Sequence, residues 1–203
     1  MPVGRRAART AAGLSPLHAW VDESMIQRGR EGTYLLAAAV ADPARCEATR
    51  EVLRSLRTGR EPKLHWNSEN PSRRARIAAA IAQFDIPSVV MVGTPLDQRR
   101  QERARRCCME ELLPHLAALG VAHVWLEART ASLDAKDRAH VEAMRGRRLL
   151  STALRIDIAR PSEEPMLWLP DIVAGAVSAA HQGEGRHLEP LRPMITQLYT
   201  DVR

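Results

Sequence analysis

Leu17-His18-Ala19-Trp20-Val21-Asp22-Glu23-Ser24, followed beyond a charged, glycine-containing segment by Tyr34-Leu35-Leu36-Ala37-Ala38-Ala39-Val40, decides how this chain folds. Both apolar runs have strand length, and Gln27 to Gly32 between them carries turn residues. So short a connection cannot hold a crossover helix, and the two strands must pair antiparallel. The sheet therefore opens as a hairpin, unlike a doubly wound fold. The first run also closes on acids at the edge of a segment that should be buried, where a carboxylate needs a partner.

Outward from this hairpin, Asp42-Pro43 supplies an N-cap and a first-turn proline for a helix to about Arg57, with Cys46, Thr49, Val52 or Leu53, and Leu56 turned inward. Lys63 to Trp66 reads as a short third strand. Asn70-Pro71 repeats the cap-then-proline signal before the helical face Ile77, Ala78, Ile81 and Phe84. Val89 to Val92 is a buried strand closed by Gly93. A longer helix carries the stripe Ala104, Cys108, Leu112, Leu116 and Leu119, with Arg99, Arg100, Arg103 and Arg106 off that stripe, and Gly120 stops it. Val121 to Leu126 is a strand that exits on Glu127. Ser132 caps a helix through Val141 and Met144, and Leu154, Ile156 and Ile158 then alternate with Arg155, Asp157 and Ala159 as in a half-buried strand. Pro170 opens an almost wholly apolar helix to Ala180 with Asp171 in its first turn, and Asp201 reads as a tail residue.

Strands recurring between helices, without an internal repeat, give an α/β chain with a central mixed β-sheet that opens with an antiparallel meander. With 203 residues there is room for one domain with a sizeable core, placed at 16–203. Residues 1–15, with Arg5 and Arg6 and no continuous apolar core, read as a mobile basic N-terminal tail and not as a signal peptide. A hydrophobic share of 45% with 27% charged residues excludes a disordered chain, and no apolar stretch reaches membrane-spanning length. Cys46, Cys107 and Cys108 form no C-x-x-C pair, which argues against a disulfide framework or a structural zinc and fits a cytoplasmic location. The charge of +6 suits a polyanionic partner such as nucleic acid. Because Lys63 and Lys136 are the only lysines in an Arg- and Ala-rich chain, that charge also reads as a coding bias.

Serine-hydrolase, P-loop and zincin signatures are absent. What remains are Asp22, Glu127 and Asp171, each beside a strongly apolar segment. Two divalent ions held roughly 3.5–4 Å apart by such acids can stabilise the attacking and leaving oxygens of a phosphodiester. Magnesium and manganese favour these hard oxygen ligands. Each acid also has an ordinary explanation: Asp22 as a turn residue bonding its own backbone, Asp171 as a complement to a helix N-terminus, Glu127 as a solvated strand end beside Arg129.

Asp22-Glu23-Ser24 after the first strand, the apolar second strand, the acid ending Val121 to Glu127, and Asp171-Ile172-Val173-Ala174-Gly175-Ala176 in the last helix occur in an order that resembles a bacterial family. This is the family called domain of unknown function three thousand eight hundred, assigned an RNase H-like fold akin to retroviral integrases and Holliday-junction resolvases. The resemblance spans most of the chain. It implies helices on both faces of the sheet and a magnesium or manganese site with Asp22, Glu127 and Asp171 as metal ligands and catalytic residues. The chain departs from the family pattern at Met25, where glycine is common, at Glu127, where aspartate is more usual, and at Trp168-Leu169-Pro170, which replaces a glutamine-containing approach.

Four auxiliary residues complete the reading. Glu23, next to Asp22, should point to the opposite side as a supporting or surface charge. Lys63 or His65 can contact a scissile phosphate, with His65 a candidate proton shuttle, or both can face solvent beside an anchoring Leu64 and Trp66. Asp157 lines the same site or meets water. The expected function is a divalent-metal-dependent nuclease or related phosphodiester hydrolase. The alternative is a non-catalytic RNase H-like module that binds nucleic acid or a protein partner through its arginine-rich helices.

Overall fold

The computed structural model describes residues 16–28, 31–58 and 63–203, so the expected tail over 1–15 lies outside the described residues. The described strands are β1 (Leu17–Arg28), β2 (Glu31–Ala41), β3 (Ser88–Leu96), β4 (Val121–Glu127), β5 (Arg155–Ala159) and β6 (Ile195–Asp201). They form one mixed sheet in the order β5-β4-β1-β2-β3-β6. β1, β2 and β3 are an antiparallel meander, while β4 joins β1, β5 joins β4 and β6 joins β3 in parallel. The α-helices are α1 (Glu47–Leu56), α2 (Pro71–Ile81), α3 (Gln101–Ala118), α4 (Ala131–Gly146) and α5 (Trp168–His181).

The period-2 alternation of β-structure sorts the sheet's side chains into two cores. Trp20, Leu35, Ala37, Ala39, Val90 and Val92 meet α1, α2 and α5 on one face. Ala19, Val21, Leu36, Ala38, Val89 and Met91 meet α3 and α4 on the other. Helices therefore cover both faces. Among the described residues no helix is long and apolar enough to cross a membrane.

Several local expectations change. β1 does not end at Val21; it runs on to Arg28 because Ser24 and Ile26 continue the inward alternation of Trp20 and Asp22, and β2 pairs with the whole length. β3 likewise passes through Gly93 to Leu96. Asp42-Pro43 starts a 3-10 turn over Pro43–Arg45, with the Asp42 side chain accepting from the Ala44 amide, and α1 begins only at Glu47. Thr130, not Ser132, caps α4 by accepting from the Leu133 amide. α5 starts at Trp168, out of a preceding turn over Pro165–Leu167. Lys63 to Trp66 is no strand but an irregular approach to a turn over Trp66–Ser68. Asp201 is not a tail residue; it ends β6, an edge strand whose half-exposed pattern carries little apolar signal.

Candidate functional site

The parallel ladder between β1 and β4 ends at the pair Val21 and Leu126. One residue further on each strand stand Asp22 and Glu127, both on the face that packs against α5. Asp22 is thus mid-strand in the long hairpin yet sits where its parallel neighbour departs, at the crevice beyond the carboxyl ends of parallel strands. Its cross-strand partner on that face is Ala37, whose single methyl leaves room for the first turn of α5. Asp171 lies in that turn.

The three acids are brought together electrostatically. Asp22 is 8% exposed, and its carboxyl is pushed well above the usual range first by burial and then by the charges of Glu127, Asp171 and Glu23, with Lys63 opposing. Its Oδ1 accepts from the Glu23 amide at 2.7 Å, the local bond that an ordinary turn aspartate would make. Asp171 is also raised by burial, against the Trp66 amide, Lys63 and His65, which favour its charge. The Trp66 N–H donates to Asp171 Oδ2 at 3.1 Å. Glu127 accepts a 2.5 Å bond from Lys63 Nζ on Oε1, while its Oε2 is buried and meets no hydrogen-bond donor. Burial works against the Lys63 charge, yet the bond to Glu127 and the charges of Glu127, Asp22 and Asp171 outweigh it and hold the ammonium above the usual lysine range.

The loop that delivers Lys63 is fastened to α5 at two points one helical turn apart. The first is the Trp66 amide on Asp171. The second is the Trp66 indole, 1% exposed, which lies where a Gly175 side chain would be: a Cβ there would stand 2.1 Å from Trp66 Cδ1. Helix propensity alone favours alanine over glycine by about 1 kcal/mol, but overpacking a close contact costs about 1–3 kcal/mol or more. Gly175→Ala is therefore expected to lower stability by about 2 kcal/mol, read by thermal or denaturant unfolding; a more stable variant would show that the indole does not occupy that space.

The auxiliary residues separate. Lys63 joins the acids, and His65, which is exposed, is close enough to favour the charge on Asp171. Glu23 points to the opposite face as expected, where its Oε2 accepts from Arg105 Nη1 at 2.5 Å. Asp157 shares the acid face, but its carboxylate is bonded elsewhere: Oδ2 lies 2.9 Å from His123 Nε2 and accepts from Arg155 Nε at 2.6 Å. His123 in turn stacks near His18 and Trp125, and the Trp125 indole donates to His18 Nδ1. Sequence reasoning missed this histidine and tryptophan cluster. The visible signal was His18 and His123 in matching places before two strand-end acids.

The donor chemistry suits a hard divalent ion, since all three acids are carboxylates and Glu127 Oε2 is a buried acceptor without a donor. Among the described residues, however, no three His, Cys, Asp or Glu side chains are grouped closely enough to hold a metal ion. The cation present is the Lys63 ammonium, ion-paired with Glu127 Oε1. The chain matches no family model, no curated protein and no solved structure.

Proposed function

We propose that this chain is a divalent-metal-dependent phosphodiester hydrolase of the nuclease class, built on an RNase H-like arrangement of its mixed sheet. The supporting observation is that the charges of Glu127 from β4 and Asp171 from α5 add to burial in raising the carboxyl of Asp22 on β1, while Glu127 Oε2 is left without a donor. Carboxylates that repel each other and lack full hydrogen bonding cost stability unless a cation offsets them. Asp22, Glu127 and Asp171 would hold Mg²⁺ or Mn²⁺, which supplies Lewis-acid charge to a phosphodiester and activates water. Asp22 and Asp171 orient the donor set from rigid elements, and Lys63 adds positive charge for an anionic substrate. The exposed run Arg99, Arg100 and Arg103, after β3 and into α3, adds positive charge suited to a nucleic-acid backbone.

The test is hydrolysis of single-stranded, double-stranded and hybrid substrates with Mg²⁺ or Mn²⁺. Asp171→Asn is expected to lose more than the roughly 10–100-fold that changes around a metal's outer shell produce. A second reading rests on a specific observation, the Lys63 bond that closes Glu127 in place of a metal-ready grouping. It is a non-catalytic module that binds nucleic acid through Arg99, Arg100 and Arg103. Salt-sensitive binding that survives Asp171→Asn, without cleavage in either metal, would favour it.

A further inference from the structure

His187 is 1% exposed, yet among the described residues neither of its buried ring nitrogens has a hydrogen-bond partner. Buried polar side chains are bonded in the large majority of cases, so two orphaned nitrogens on one ring mark a place where stability is given up. The ring belongs to the short 3-10 turn Gly185–His187, which packs against α5 and α2. It meets the Trp66 indole edge to face, with centroids 5.7 Å apart and planes at 84°. That indole already carries a cation: the Arg74 guanidinium of α2 lies 5.4 Å from its centroid, and Arg74 Nε donates to the Trp66 carbonyl at 3.1 Å. Burial first, then the charges of Arg186 and Arg74, hold the His187 imidazole below its usual range, with Glu184 opposing. Of the titratable groups of α5, Asp171 lies in the first turn, bonded to the Trp66 amide, and His181 in the last.

We propose that His187 is a proton-operated latch: taking up a proton drives the Gly185–His187 turn out of its packing and uncovers the Trp66 indole. A neutral imidazole carries one donor. The protonated ring carries two and a charge, and where it sits it would face Arg186 and Arg74 with no acceptor among the described residues. Opening the turn returns the ring to water, where it takes a proton freely below about pH 6.5. The open form therefore binds a proton that the closed form refuses, and acid shifts the balance toward opening. The Trp66 amide bonds Asp171, so the latch borders the acid pocket, but it needs no ligand there and stands apart from the hydrolase reading.

The experiment follows hydrogen exchange of peptides covering 63–69 and 183–191 at pH 8 and pH 5, corrected for intrinsic exchange rates. It compares the parent with His187→Phe, which keeps a ring against Trp66 but cannot take a proton. Imidazole NMR of the parent reads the His187 titration directly. Protection of both segments in the parent is expected to fall several-fold at pH 5 relative to β2, and to stay level in His187→Phe, while His187 itself titrates below the ordinary histidine range. Unchanged protection in the parent, an equal loss in His187→Phe, or a His187 pKa at or above about 6.5 would overturn the latch. The last of these is read on the parent alone, so it applies even where the phenylalanine variant does not fold.

Discussion

Arg105→Ala is expected to remove about 3–5 kcal/mol of stability, the usual consequence of stripping one partner from a buried ion pair. The guanidinium is 1% exposed on α3. Its Nε and Nη2 donate to Asp137 of α4 at 3.0 and 2.9 Å, and its Nη1 donates to Glu23 of β1 at 2.5 Å and lies 3.4 Å from the Tyr34 hydroxyl of β2. Arg129 extends the network, donating to Glu102 at 2.7 Å and to Asp137 at 2.8 Å. Alanine would leave Glu23 without its bonded cation and Asp137 with Arg129 alone. In a protein of this length each kcal/mol moves Tm by about 2–4 °C, so the drop should be about 6–20 °C. Lysine should recover only part, because it lacks the planar fork that binds Asp137 through two nitrogens. A variant melting within 2 °C or so of the parent would show that the network is not closed in solution. Asp22, Glu127 and Asp171 lie on the other face of the sheet, so the proposed activity per folded molecule should change far less than stability.

Arg105 shows why some of the structure was legible in the sequence and some was not. Periodicity placed Ala104, Cys108, Leu112 and Leu116 correctly on the buried stripe of α3, and Arg99, Arg100, Arg103 and Arg106 correctly outside, but Leu119, the expected end of that stripe, is the 48% exposed C-cap. It had no means of seeing Arg105 as core, since an arginine is buried only when distant acids come to meet it, here Glu23 and Asp137. The same limit applies at Lys63 to Trp66. A buried tryptophan next to alternating polar residues looks like a strand, but Trp66 is buried by Gly175, more than a hundred residues later. The elements whose signals are local held: the Asn70 cap accepts from the Arg73 amide, Gly120 ends α3 with φ of 85°, and β4 closes on Glu127. The burial of Asp22 and Asp171 was legible because each adjoins an apolar run that drags a carboxylate inward. Lys63 stood among the auxiliary residues, but its bond to Glu127 was not legible, because nothing in the spacing of Lys63 announces Glu127.

Asp22→Asn should abolish the proposed hydrolysis and yet make the metal-free protein more stable at neutral pH. Burial and the charges of Glu127 and Asp171 hold the Asp22 carboxyl well above its ordinary range, so between the unfolded pKa and the folded one the native state carries a proton that the unfolded chain has released. Stability changes with pH as the protons bound by the unfolded state minus those bound by the native state, which is negative in that window. The parent without metal must therefore lose stability as pH rises through it, and asparagine, which fills the same space without a charge, removes that contribution. Melts in chelator should give similar Tm values for parent and variant near pH 4 and a higher Tm for the variant at pH 8. Saturating Mn²⁺ should reverse the order: at about 100 times Kd a ligand that binds only the native state adds about 2.7 kcal/mol, or about 5–11 °C here, to the parent alone. The crossing of the two curves separates a site built to be completed by a cation from an acid that is merely buried. If asparagine lowers Tm at pH 8 in chelator, or if Mn²⁺ lifts both proteins equally, Asp22 is a structural carboxylate and the pocket is not a metal centre.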